Sequence, residues 1–275
     1  MSRRHPAERV RVTLGTAVVA AVVDAAAAPW LFTGSDPLLM HPSTPFAGPG
    51  GAHPLGTDEF GRDILARLVY GARASLEVSA GSVLLAGSVG TLLGVLGGYR
   101  SGVWEAVTMR SADVILCFPP ILLAMLVAGF LGAGVGHLIL IIGFLYMPQF
   151  SRLAFAQTLA VRQGEFVEAA RAAGASTGRI LARAILPNVV GPIVIQASLS
   201  AASAMLLESG LSFLGLGVLP PAPSWGLMIA TARNYMFQTP YYVLWPSVVL
   251  SVTILGINTL GDALLDHLDP RRRLG

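Results

Sequence analysis

The sequence predicts an all-α polytopic membrane protein with six transmembrane helices. Three observations carry the prediction. Apolar residues make up 54% of the 275 positions and charged residues only 12%, with a mean hydropathy of +0.68. Soluble domains average about 25% charged residues, so this chain is built for an apolar solvent. Apolar runs of ~20 residues recur, each long enough to cross a hydrocarbon core of about 30 Å. The arginines, finally, gather between alternate runs.

The spans are expected at 11–32, 77–99, 106–131, 135–156, 188–217 and 241–263. Arg3, Arg4, Arg9 and Arg11 precede the first, which puts the N-terminus in the cytoplasm by the positive-inside rule. Alternation then places Arg100, Arg110, Arg152, Arg162, Arg171, Arg179, Arg183 and Arg271–Arg273 on the same side. Only Arg62, Arg67, Arg73 and Arg233 of the 18 cationic residues fall outside. The organisation expected is a cytoplasmic N-terminus and first span (1–32), an extracytoplasmic loop (33–76), a membrane core (77–265) with a cytoplasmic loop at 157–187, and a cytoplasmic tail (266–275).

In chain order, the first span contains Asp24, a carboxylate in an apolar run and so a candidate for the translocation path. An acid near the outer interface, or facing another helix, explains it as well. The same stretch can imitate a secretory signal ending in small residues; Asp24 interrupts its apolar core and favours a retained span. The outer loop is rich in Pro and Gly and ends in His53-Pro-Leu-Gly-Thr-Asp58-Glu-Phe-Gly-Arg62-Asp63. Asp58, Arg62 and Asp63 can pair locally and form a polar cap over the helices. Gly90, Gly94, Gly97 and Gly98 give the second span a small-residue face for close packing. Pro119-Pro120 and Pro148 should kink the third and fourth spans. Cys117, the single cysteine, is expected as a small buried hydrophobe.

The segment Glu165-Phe-Val-Glu-Ala-Ala-Arg-Ala-Ala-Gly174 is polar and amphipathic between apolar runs. Phe166, Ala169, Ala170 and Ala173 fall at i, i+3, i+4 and i+7 and predict one apolar stripe on a short helix. Glu168 is spaced to pair with Arg171, Gly174 to end the helix in the left-handed conformation, and Pro187 to open the next helix. A stripe of one ring and small alanines suits a groove in a soluble partner. In span five, Glu208 is a second intramembrane acid, which either lines the path or bonds within the bundle.

Glu168-Ala169-Ala170, then Gly174, then Leu186-Pro187 resembles the cytoplasmic coupling loop of ABC-importer permeases. Ala184 stands where that family often has isoleucine. His53 through Leu76, Glu208 through Gly226, and Gly256 through Arg273 are similar to the dipeptide/oligopeptide/nickel branch, C-type permease subunit. The resemblance implies a type I ABC-importer permease fold and a heterodimer with a sister permease. It also implies two ABC ATPase subunits that bind ATP and magnesium, an extracytoplasmic substrate-binding protein, and a peptide substrate. Glu168, Ala169, Ala170 and Gly174 would carry coupling, with Leu186 and Pro187 anchoring the return into span five.

Other classes are weakened by what is missing. The chain has no lysine, so it carries no Walker A site of its own, and no cofactor is expected in it. No nucleophile–base constellation is visible, and basic–aromatic interleaving for nucleic acid is absent. The five histidines show no metal-ligand spacing, although His41 and His53 would make a metal pair if brought together. Nickel is the alternative cargo. An ion-coupled secondary transporter is a more distant alternative and would need inverted repeats, which the sequence does not show.

Overall fold

The computed structural model describes residues 6–100 and 102–268. Arg3, Arg4 and Arg271–Arg273, used above for orientation, lie outside the described residues. The principal helices are α1 (Pro6–Ala27), α2 (Ile64–Arg100), α3 (Val103–Leu116), α4 (Pro120–Leu131), α5 (Val135–Val161), α6 (Glu165–Ala172), α7 (Thr177–Ile180), α8 (Leu186–Phe213), α9 (Trp225–Ala232) and α10 (Pro240–Leu268). Among the described residues the β pairing is a single antiparallel bridge, Thr57 to Asp63.

Five helical stretches are long and apolar enough to cross a membrane: Val10–Ala27, Ile64–Arg100, Val135–Val161, Thr177–Phe213 and Pro240–Asp266. A sixth crossing requires α3 and α4 together, and these bend by 94° at the break. The predicted span 106–131 is therefore broken. Its cause is Pro119-Pro120: Pro120 opens α4, and Pro119, held extended at φ −58° and ψ 125°, cannot continue α3. Pro148, by contrast, is buried inside a continuous α5. Cys117 sits at the break and is exposed, not buried as expected. The outer surface is frankly apolar, with Phe237 95%, Phe130 84% and Val103 78% exposed. Such rings and branched chains are stable there in hydrocarbon and not in water.

Two other spans differ from expectation. α2 begins at Ile64, thirteen residues before the predicted start, because Asp63 Oδ1 accepts the Ala66 N–H at 2.7 Å and caps it. Its first turns are buried: Ile64, Ala66 and Leu68 pack beneath the α1–α2 connection. Span five starts at Thr177 and reaches Pro187 through a π turn over Leu181–Ile185, in which Leu186 N–H bonds the Leu181 carbonyl. A proline lacks the N–H that an α-helix would use, and one wider turn absorbs the defect. Asn188 Nδ2 caps the Ala184 carbonyl at 2.7 Å.

The core has three parts. One joins α2, α4, α5 and α8 around Val78, Phe150 and Leu211. A second joins the start of α2 to α8, α9 and α10 around Trp225, Met205 and Tyr242. The third holds the far ends of α2 and α5 against the start of span five through Val95, Ala154, Ile185 and Val189. The tightest seam is α2 on α5. A Cβ at Gly94 would collide with the Ser151 carbonyl and lie 2.8 Å from Ala154 Cβ, and one at Gly90 would lie 2.6 Å from the Met147 carbonyl. Gly98 meets Thr158 and Phe155 on the same line, so Gly90, Gly94 and Gly98 form the seam at i, i+4 and i+8. Gly97 turns instead toward Thr108 of α3.

Gly87 lies one turn before this seam, and a Cβ there meets Phe150 at an ordinary 3.5 Å. Gly94→Ala is expected to lower the yield of folded, detergent-extracted protein severalfold and to depress its melting temperature. Gly87→Ala, which removes helix-interior flexibility, should melt at or slightly above the wild-type temperature. Size-exclusion profiles and thermal unfolding of the two variants check the contrast.

Candidate functional site

α6 projects between two spans and is held by one face. Val167 is fully buried in the third core part with Val95, Ala154, Ile180, Ile185 and Val189, and Ala170 and Ala175 pack against it. Phe166 is 53% exposed, and Ala169 and Ala173 are exposed beside it. The predicted stripe is thus divided: Ala170 turns inward with Val167, and Phe166, Ala169 and Ala173 turn outward. Val167 was the residue missed. Its signal was present, as the one β-branched aliphatic in an alanine-rich run.

Helix α6 ends as predicted. Gly174 has φ +75°, the Ala175 N–H bonds the Ala170 carbonyl at 3.0 Å, and the Gly174 N–H bonds the Arg171 carbonyl at 2.9 Å. This is the 6→1 and 5→2 pair of a Schellman motif. The expected Glu168–Arg171 pair does not form. The Arg171 guanidinium instead lies 5.2 Å from the centre of the Tyr99 ring on α2, within cation–π range, and Glu168 stays exposed. Leu186 and Pro187 do not anchor the return either: Leu186 is 41% exposed and Pro187 is exposed. Ile185 and Val189, both fully buried, take that place.

Asp58, Arg62 and Asp63 come together in a buried polar knot at the other end of the bundle. Asp58 is fully buried and accepts Arg62 Nε at 2.6 Å and the backbone N–H groups of Phe60 and Arg62 at 2.9 Å each. Arg67 Nε lies 3.4 Å from the same carboxylate, and Arg67 Nη1 donates to the Pro37 carbonyl at 3.2 Å. Arg62 Nη2 also donates to Glu59 at 2.9 Å, and Glu59 accepts the Tyr242 hydroxyl at 2.7 Å. Tyr241 donates to the Phe46 carbonyl at 3.0 Å. The loop is thereby tied to α2 and α10, and these charges form a structural cap in which Arg67 Nε is left with an ion-pair contact and no hydrogen bond.

His41 and His53 do meet, with ring centres 6.1 Å apart, and His53 Nδ1 lies 2.8 Å from Asp63 Oδ2. Among the described residues, no group of three or more His, Cys, Asp or Glu is placed to hold a metal ion. Asp24 is exposed, in the last turn of α1. Glu208 is fully buried where α8, α2 and α9 meet, and takes hydroxyls from Ser212 at 2.8 Å and Ser209 at 3.2 Å. Ser75 and Ser224 also approach it. Of the two readings, the structure selects bonding within the bundle, and Glu208 has no surface to offer a path.

Gln149 and Gln196, which sequence inspection passed over, and Arg152, which it used only for orientation, lie elsewhere. Gln196 Nε2 on α8 donates to Gln149 Oε1 on α5 at 3.2 Å and to Ser200 at 3.0 Å. Arg152 on α5 lies 3.7 Å from Asp113 on α3, and both side chains are more than half exposed. Gln149 and Gln196 carry no charge, so neither stood out from the hydropathy of its span.

Removing Asp58 would leave Arg62 and Arg67 buried without their acid. Asp58→Ala is expected to destabilise the protein by about 3–5 kcal/mol, the usual cost of stranding a buried charge. Thermal unfolding in detergent checks it; an unchanged melting temperature would show that the knot is dispensable.

The chain is similar to known proteins. The model of the family described as binding-protein-dependent transport system inner membrane component matches residues 90–274. The dipeptide transport system permease protein DppC of Alkalihalophilus pseudofirmus is 40% identical over 88% of this chain and 80% of its own length. The glutathione transport system permease protein GsiD of Pectobacterium atrosepticum is 41% identical over 82% of this chain and 74% of its own. The di/tripeptide transport system permease protein DppC of Pseudomonas aeruginosa is 41% identical over 79% of this chain and 72% of its own. Among solved structures, a chain of the MetNI methionine ABC transporter in inward-facing conformations superposes with a TM-score of 0.59. It covers 74% of this chain and 96% of that one at 19% identity, a likeness of fold. With the family model matched from the glycine seam of α2 through the α6 segment to the end of α10, the chain belongs to the binding-protein-dependent transport system inner membrane components.

Proposed function

We propose that this chain is the coupling and translocating permease subunit of an ATP-driven importer of short peptides, with α6 as its coupling helix. The observation that carries the reading is the division of α6. Val167 locks one face into the junction of α2, α5 and span five, and Phe166, Ala169 and Ala173 leave the other face open. A helix built this way transmits a push, because a load on its outer face reaches three spans through one packed cluster. The chain has no P-loop lysine, so the load must come from elsewhere: two ATPase subunits that bind ATP and magnesium. Membership of the family supplies a binding protein as a further partner.

Peptide cargo rests on the relatives, whose printed names are dipeptide, di/tripeptide and glutathione permeases. In the proposed assembly a sister permease completes the pathway, both termini are cytoplasmic, and the protein sits in the bacterial inner membrane. The arginine distribution supports that orientation, because α6 then lies on the side where ATP is. Glu168, Ala169, Ala170 and Gly174 shape the coupling segment. Leu186 and Pro187 are exposed on the returning helix, and Ile185 and Val189 hold it.

Gly174→Val is the direct test. Nothing lies within 4 Å of a Cβ at Gly174, so the effect is not steric crowding. A β-branched residue at φ +75° costs on the order of 1–3 kcal/mol of backbone strain. The expected outcome is membrane insertion at the wild-type level with uptake of a labelled dipeptide reduced at least tenfold. Normal uptake by the variant would remove α6 from the coupling role. Nickel uptake rescued by the gene, with no peptide uptake, would change the cargo and keep the machine.

A further inference from the structure

We propose that Gln149, Gln196 and Arg152 line the cargo path and hold a peptide by its backbone and its terminal carboxylate. The inference deepens the peptide-import reading and rests on it. Along α5, Tyr146, Gln149 and Arg152 are spaced at three-residue steps and so lie on one side of the helix. The Tyr146 side chain approaches Ser203 of α8, and one turn further Gln149 meets Gln196. One turn beyond that, Arg152 meets Asp113 of α3. Three polar rungs thus follow one another along α5, the first two against α8 and the third against α3.

Their exposure gives the ladder its meaning. Gln149 and Gln196 are half-buried, and the Arg152 and Asp113 side chains are 56% and 60% exposed. Gln149 and Arg152 belong to the α5 span, Gln196 to the α8 span and Asp113 to α3 beside them, and charged groups in such helices turn toward a water-filled cavity or another protein and not toward lipid. The polar groups are also underused. The amide nitrogen of Gln149 and the amide oxygen of Gln196 have no partner among the described residues, which leaves one donor and one acceptor side by side. A peptide group presents the complementary acceptor and donor.

Arg152 is matched to a carboxylate. Its contact with Asp113, at 3.7 Å, is too long for a hydrogen bond, and a guanidinium can exchange it for two parallel bonds to a terminal carboxylate. From Tyr146 to Arg152 the helix rises ~9 Å at 1.5 Å per residue. An extended chain covers ~3.3–3.6 Å per residue, so the ladder spans about three residues of peptide.

The test uses the complete transporter, with its partner subunits, in proteoliposomes. Uptake of a tripeptide with a free carboxylate is compared with uptake of its C-terminal amide, for wild type, Arg152→Gln and Gln149→Leu/Gln196→Leu. Wild type is expected to prefer the free acid at least fivefold. Arg152→Gln should level that preference, and the double leucine variant should raise KM at least fivefold for both forms. In parallel, a water-soluble methanethiosulfonate is applied to Gln149→Cys and Ala204→Cys, each in a Cys117→Ser background. Position 149 should be modified and then protected by tripeptide; position 204, fully buried, should not react.

An unreactive position 149, or an Arg152→Gln variant that keeps the free-acid preference, overturns the inference. Variants that fail to co-purify with their partners leave the thiol arm decisive, since Gln149→Cys is the milder change. If wild type takes up no peptide at all, the peptide reading fails first. Modification of position 149 with no protection by tripeptide then leaves a water-filled path and removes its peptide specificity.

Discussion

Backbone contact between α2 and α5 is the constraint on which the rest of the molecule depends. Gly90, Gly94 and Gly98 let α5 lie directly against α2, with carbonyl groups of Met147, Ser151 and Phe155 where side chains would otherwise stand. In hydrocarbon, apolar surface gains little by leaving the solvent, so helices associate through close van der Waals approach. The seam supplies that approach over two turns. It also brings Val95 and Ala154 side by side at the end of the pair, and these two residues form part of the seat into which Val167 fits. Position of the seam and position of α6 are therefore one fact.

The two ends of the bundle are built on opposite principles. At one, Asp58, Arg62, Arg67, Glu59 and Tyr242 join in a buried polar network that ties the α1–α2 connection to α2 and α10. At the other, α6 is secured by apolar packing and one cation–π contact and leaves half its surface bare. A buried polar network of this kind resists rearrangement because breaking any member strands a buried charge. An apolar seat under a short helix permits rigid displacement. In the proposed function the first end holds still and the second receives the push.

Much of this was legible in the sequence because it follows from local rules. Span order comes from hydropathy, the α6 stop from Gly174, the polar cap from the charge cluster between His53 and Arg67, and the seam from glycine spacing. What escaped depends on tertiary context. Asp63 lengthened α2 because a buried first turn rewarded its cap, and no hydropathy window weighs a cap. Pro119-Pro120 and Pro187 look alike as helix breakers, yet one break bends by 94° and the other is absorbed by a π turn. Proline removes a hydrogen bond in both cases, and the packing around it decides the response. Of the predicted α6 stripe, Phe166, Ala169 and Ala173 are exposed and Ala170 turns inward. Its anchor went unseen because Val167 shows its importance only against Val95, Ala154 and Ile185, distant in sequence.

The central claim is that the open face of α6 bears on an ATP-hydrolysing partner. The most direct measurement is site-specific cross-linking from Phe166→Cys, in a Cys117→Ser background, within the complete transporter. A short bifunctional maleimide should join position 166 to an ATPase subunit carrying single cysteines on its membrane-facing surface. It should join no subunit when the cysteine is moved to the buried position 167. Cross-linking of position 166 to the sister permease, or to no partner in any nucleotide state, would contradict the account.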